Sequence, residues 1–196
     1  MNSLLRPAIV LFLFFTVLTG ILYPLAITGL AQLAFPQAAS GSILMRDGKP
    51  IGSTLIGQSF SDPKYFWGRL SATTPQPYAG TASSGSNLGP LNPALTDAVK
   101  ARIQALRAAD PGNTAPVPVD LVTASASGLD PEMSIAAALY QAPRVARVRG
   151  LDVIQVRQLV AAQSQHPVLG VFGEPRVNVL ALNLALDSVA PASGSR

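Results

Sequence analysis

The chain has 196 residues, with 14 lysines and arginines against 10 acids, a formal net charge of +4, one histidine and no cysteine. The lack of cysteine excludes a disulfide framework, a thiolate metal site and a cysteine nucleophile, and one histidine excludes a multi-histidine metal site. The densest cationic cluster, Arg144, Arg147, Arg149 and Arg157, has no interleaved aromatics, which argues against a nucleic-acid partner.

The first element is the most informative. Residues 8–35 form 28 consecutive positions without a charge, mostly Leu, Ile, Phe, Val and Ala. About 20 apolar residues cross a bilayer core as a helix. A cleavable signal peptide has an apolar core of about 7–15 residues. Ala38-Ala39-Ser40 would suit a cleavage site, but the length of the run favours a retained anchor. Arg6 and the α-amine abut the run, whereas residues 35–45 carry no charge. Long domains cross largely regardless of charge. The expected orientation is therefore N-terminus inside and the main domain outside. Within the span, Thr16, Thr19, Gly20 and Tyr23 recur at helical spacing. Small and hydroxylated residues let membrane helices approach closely, so this face is a candidate contact with another membrane protein. Pro24 should loosen the preceding turn.

Seventeen prolines and 16 glycines imply many turns in the remaining ~160 residues, which are the size of one domain. Two short apolar runs around Asp47-Gly48 predict a tight hairpin, its second arm continuing through 53–56. Residues 60–67 are aromatic-rich, with a turn at Asp62-Pro63. Residues 71–90 are too polar and broken for a regular element. Asn92 and Pro93 open a helix with Leu95, Val99, Ile103 and Leu106 on one stripe, ended by Asp110-Pro111-Gly112. The alternation in 118–123 predicts a strand. Asp130-Pro131 opens a second predicted helix running to about Tyr140, and Asp152 caps a third, with Gln155 as its capping-box partner. Its inner face carries Val153, Val156 and Val160. Residues 177–186 suit either a strand or a helix capped by Asn178, with a helix from about Val179 favoured.

The expected class is α+β: a single N-terminal transmembrane helix followed by one extracytoplasmic mixed α/β domain. The expected divisions are a cytoplasmic tail at 1–7, the membrane helix at 8–35, the domain at 36–190 and a disordered tail at 191–196.

Candidate chemistry is sparse. His166 precedes Pro167 at a helix end and reads as a loop residue. The acids are scattered, and Asp47, Asp62, Asp130 and Asp152 have turn or capping positions, so no converging carboxylate pair stands out. Residues 52–59, Gly-Ser-Thr-Leu-Ile-Gly-Gln-Ser, have the glycine spacing of a phosphate-binding loop, but Gln58 stands where a lysine is needed. The plainer reading is a strand with glycines at close backbone approaches. Residues 83–90 could bind an anion or a partner's loop, or be plain surface. Trp67 reads as core or interface filler.

Seven segments, taken in order, carry a resemblance: 55–58 (LIGQ), 65–69 (YFWGR), 86–90 (SNLGP), 118–125 (PVDLVTAS), 128–131 (GLDP), 173–180 (GEPRVNVL) and 182–187 (LNLALD). Each is weak alone, but their order and spacing resemble the C subunits of the high-affinity bacterial potassium-transporting P-type ATPases, the KdpC family. The resemblance covers nearly the whole chain, anchor included. It implies an accessory, non-catalytic subunit of an ATP-driven potassium importer in the bacterial cytoplasmic membrane. The implied partners are a channel-like potassium-selecting subunit, a P-type ATPase subunit and a small single-span subunit. The implied role is a catalytic chaperone that raises the ATP affinity of the pump subunit. No cofactor is implied beyond ATP met transiently through that subunit. The resemblance also implies a nucleotide role for Gln58, although a domain outside the membrane meets no ATP. Within the matching segments, Trp67, Arg69, Asn87, Asp120, Asp130, Glu174, Arg176 and Asn178 are candidate partner-interface residues, beside Thr16, Thr19, Gly20 and Tyr23 of the span. Two departures stand out. Glu132 follows Asp130-Pro131 where the family usually has histidine, and Ser84-Gly85-Ser86 stands where two glycines are common. The competing readings are a membrane-tethered extracytoplasmic hydrolase and a secreted binding domain. The phosphorylation motif Asp-Lys-Thr-Gly-Thr does not occur, so energy coupling would lie in another polypeptide.

Overall fold

The computed structural model describes residues 2–167 and 169–189. The tail expected at 191–196 lies outside the described residues. The chain divides into two compact units, Met1–Ile51 and Gly52–Arg196.

In the first unit, α1 (Asn2–Val17) leads into a π-helical turn (Leu18–Leu22) and then α2 (Tyr23–Ala34). Together Leu4–Ala34, 31 residues, are long and apolar enough to cross a membrane. The widened turn ends two residues before Pro24, where the missing N–H and the ring disturb the α ladder. The Thr16 and Thr19 hydroxyls donate back to Phe12 O and Phe15 O, each at 2.7 Å. A π-turn inserts one residue into the register, worth roughly 100° of rotation. This corrects the even spacing expected for Thr16, Thr19, Gly20 and Tyr23: the face is interrupted between its first and last members. A short helix α3 (Pro36–Ala39) follows, then β1 (Ile43–Arg46) and β2 (Lys49–Ser53), which pair. Asp47 and Gly48 both have positive φ, 52° and 73°, as a type I′ turn requires. The second arm stops at Ser53 and turns, rather than running on to Ile56.

In the second unit, α4 (Pro93–Ala109) begins at Asn92, whose side chain accepts from Ala94 N, and presents Leu106 to the core. The strand expected at 118–123 is instead a 3-10 turn, Val119–Leu121. Tertiary bonds decide this. Leu121 is wholly buried, Val119 is exposed, and the Asp120 carboxylate between them accepts from Ser134 N at 2.8 Å.

The second predicted helix also starts and stops elsewhere. Asp130 Oδ1 accepts from Glu132 N at 2.9 Å, forming a turn rather than a helix cap. That turn delivers β3 (Glu132–Ser134), and Ser134, accepting from Ala137 N, caps α5 (Ile135–Arg149). The helix passes through Pro143 and ends at Gly150 in the left-handed region. Ala138, Ala142 and Val145 along one stripe of α5 are completely buried, and that packing outweighs the loss of one helical N–H.

Asp152 caps α6 (Val153–Gln163) as expected, although its carboxylate takes Ile154 N rather than the Gln155 N–H of a capping box. Val156 and Val160 are buried on its inner face. A two-residue strand β4 (Ser164–Gln165) was not foreseen. The ambiguous segment resolves into both readings in turn, β5 (Arg176–Asn178) and then α7 (Val179–Asp187), capped by Asn178 through Ala181 N. The sheet order is β3-β5-β4, antiparallel throughout. Helix α6 packs on both α5 and α7.

Candidate functional site

The β3–β5 pair builds the site. Met133 faces Val177, and both side chains are buried; Glu132 and Ser134 pair with Asn178 and Arg176. Alternation puts these charged and polar residues on the sheet's other face, where a diagonal neighbour lies within reach of a long side chain. Arg176 uses that diagonal: its Nε meets the Glu132 carboxylate at 2.8 Å.

A second ion pair stands beside it. Arg69 Nη1 donates to Asp130 Oδ2 at 3.0 Å, both side chains about a quarter exposed. Asp130 thus holds the guanidinium with one oxygen and its own turn with the other. Arg69 is placed by the aromatic segment before it and by the bridge between Leu70 and Ala124. Its Nε is buried without a hydrogen-bond partner.

These residues line an open cleft of about 330 Å³, together with Asp120, Ser134, Glu174 and Pro175. Four carboxylates face two guanidiniums there. Asp130 and Glu132 are ion-paired, Asp120 accepts a backbone N–H, and Glu174 is exposed. The surplus charge is negative, in a chain whose net charge is positive. Among the described residues, no group of three His, Asp or Glu side chains could hold a metal ion. The cleft offers binding complementarity to a cationic surface rather than a nucleophile and base in contact.

Of the residues expected at an interface, Arg69, Asp120, Asp130, Glu174 and Arg176 converge on this cleft. Asn87 lies elsewhere, exposed on the 71–90 loop with φ 51°. Trp67 and Asn178 are buried, which corrects their placement at a surface. Asn178 caps α7 and donates to Thr54 O at 2.8 Å. The guanidiniums of Arg102 and Arg144 lie over the Trp67 ring, 5.2 and 4.7 Å from its centre. Burial lowers both arginine pKa values, that of Arg144 to about 10.

Gln58 lies in no phosphate cradle. The segment 52–59 runs from a strand end through a turn into irregular chain, with no helix after it. Gly57 N donates to Leu129 O at 2.8 Å, and a Cβ on Gly57 would strike the Tyr78 ring and Asp130 O. A Cβ on Gly52 would strike the Gln58 side-chain amide and Leu180. Both glycines therefore serve close approach, the plainer of the two readings. His166 is exposed just after β4.

Two features escaped the sequence reading. Glu132 stands out in the sequence only as a departure from the family pattern, yet it is half of the cleft's ion pair with Arg176. Leu169, Val171 and Phe172, between β4 and β5, are 86%, 77% and 66% exposed. Large apolar residues flanked by Gly170 and Gly173 were the available signal for that loop.

The family model of KdpC, the c chain of the K+-transporting ATPase, matches residues 5–188. The potassium-transporting ATPase KdpC subunit of Polaromonas naphthalenivorans is 68% identical over 193 residues, covering 98% of each chain. That of Variovorax paradoxus is 67% identical over 192 residues, 98% of this chain and 100% of the relative. That of Ralstonia nicotianae is 67% identical over 188 residues, 96% and 92% of the two. With the membrane-length helix, the mixed domain and seven matching segments all in order, the chain belongs to the KdpC family of K+-transporting ATPase subunits.

Proposed function

We propose that this chain is an accessory, non-catalytic subunit of an ATP-driven, high-affinity potassium import complex. The observation that carries the reading is full-length similarity to relatives named as KdpC subunits of a potassium-transporting ATPase. The helix anchors the chain in the bacterial cytoplasmic membrane, N-terminus inside, and the domain lies outside. The partners are a channel-like potassium-selecting subunit, a P-type ATPase subunit and a small single-span subunit. The Thr16–Tyr23 stretch of the membrane helix and the cleft around Arg69, Asp130, Glu132 and Arg176 are its contact surfaces. The exposed loop at Leu169, Val171 and Phe172 adds apolar area that a partner would cover.

Such a subunit raises the pump's ATP affinity by binding one conformational state of the complex more tightly than another. It shifts the equilibrium only by that difference in affinity. Gln58, packed over the Gly52 backbone, then acts through the fold rather than as a nucleotide ligand.

Affinity purification of the full chain from mildly solubilised membranes tests this. A polytopic protein and a P-type ATPase should come with it in fixed ratio, and ATPase activity should be absent from the chain alone. Recovery of the chain by itself, turning over a substrate unaided, would reverse the conclusion.

A further inference from the structure

We propose that the main-chain carbonyl of Thr19 is a recognition site. It would accept a hydrogen bond from a neutral donor side chain, a hydroxyl or amide, on a membrane helix of another subunit of the transporter. The proposal rests on the reading of this chain as a subunit and names the chemistry of one of its contacts.

The argument begins with the donors available to that carbonyl. In an α-helix its partner would be the N–H of Tyr23, but Tyr23 N donates to Leu18 O, five residues back. In a continued π-turn its partner would be residue 24, which is proline and has no N–H. The nearby hydroxyls are also committed, that of Thr19 to Phe15 O and that of Thr16 to Phe12 O. Thr19 is the central residue of the membrane-length stretch Leu4–Ala34. At that depth there is no water, and lipid chains carry no donor, so an unpaired carbonyl must find its partner in protein. Access is open: a Cβ placed on the adjacent Gly20 meets nothing within 4 Å. Small residues at such positions let a second helix approach closely. A neutral donor fits because a cationic one carries a large cost at the bilayer centre.

The test uses the full chain expressed with its complex. Pro24→Ala restores an N–H and lets the ladder close, and Gly20→Leu covers the carbonyl. Each should lower co-purification of the polytopic partner about tenfold, the effect of losing one intramembrane hydrogen bond. Gly29→Leu, also in open space but more than two turns away, should leave recovery unchanged. Resistance to alkaline extraction checks that each variant remains inserted. Because the chain lacks cysteine, a single Gly20→Cys substitution adds a second readout, cross-linking to a cysteine scan of the partner's membrane helices. Cross-linking to a position beside a Ser, Thr, Tyr, Asn or Gln supports the proposal. Equal recovery of all three variants overturns it while leaving the subunit role intact. Cross-linking of Gly20→Cys only to a second copy of this chain also overturns it. If the unaltered chain recovers no partner, the subunit reading itself fails.

Discussion

Gln141 and Trp67 exchange two hydrogen bonds inside the domain. Trp67 N donates to Gln141 Oε1 at 2.9 Å, and Gln141 Nε2 donates to Trp67 O at 3.0 Å. Asn183 does the same for Phe66, at 2.9 and 3.0 Å. Two helix amides thus replace the neighbouring strand that this aromatic segment lacks. They satisfy backbone groups that could not be buried otherwise. This clamp fixes the chain just before Arg69 and so positions the cleft's ion pair between Arg69 and Asp130.

Gln141→Ala should therefore be costly. It leaves a buried N–H and a buried C=O unpaired, each worth about 1–3 kcal/mol, so a loss of about 3 kcal/mol is expected. Urea unfolding of the solubilised chain, followed by the fluorescence of its single tryptophan, measures it. A loss below about 1 kcal/mol would mean that water replaces the amide.

Arg144 is 1% exposed and holds Pro63 O, Tyr65 O and Gln141 Oε1 while stacking on Trp67. Arg144→Lys keeps the charge but loses the planar fork, and about 2–3 kcal/mol should go with it. The pH dependence has a definite sign. Burial lowers the folded pKa from the ordinary arginine value to about 10, so between the two the unfolded chain binds more protons. Burying the charged group disfavours folding fully below pH 10, and that penalty fades as pH rises above it. From pH 6 to 9 this group contributes no slope. Comparing unfolding free energies of the wild type and Arg144→Met at pH 8, 9 and 10.5 tests the sign: the wild type should gain relative to the variant only at the last.

Gly57→Ala should destabilise by about 1–3 kcal/mol through overpacking, because its Cβ would press on Tyr78 and the Asp130 carbonyl. The same shift would disturb Asp130, so partner binding should weaken as well. Ala at Gly89, where nothing lies within 4 Å, is the matched control in thermal unfolding.

Glu132→Gln should change stability by less than about 1 kcal/mol, since its ion pair with Arg176 is a third exposed. It also makes the cleft less acidic. If a cationic surface docks there, association with the complex should weaken and lose part of its salt dependence. Binding measured at two ionic strengths distinguishes this from an unaltered interface, in which both values match the wild type.

Features encoded over a few residues were legible. Asp47-Gly48 specifies its turn alone, and Asn92, Asp152 and Asn178 cap helices from their own side chains. The misreadings share a cause. Val119–Leu121 alternates like a strand, but the bond from Ser134 N to Asp120 makes it a tight turn. Asp130-Pro131 resembles a helix start, but pairing with β5 claims the next three residues. Pro143 resembles a helix stop, but the buried stripe of α5 carries the helix past it.

The membrane-length helix and the lack of cysteine chemistry followed from the sequence by itself, because solvation acts on composition and needs no distant partner. The order of the seven segments likewise identified the family. Only the tertiary structure decided that Arg69, Asp120, Asp130, Glu174 and Arg176 share one cleft while Trp67 and Asn178 turn inward. Those placements depend on the register of β3 against β5 and on the clamp from α5. Both are long-range pairings, and no local pattern along the chain contains them.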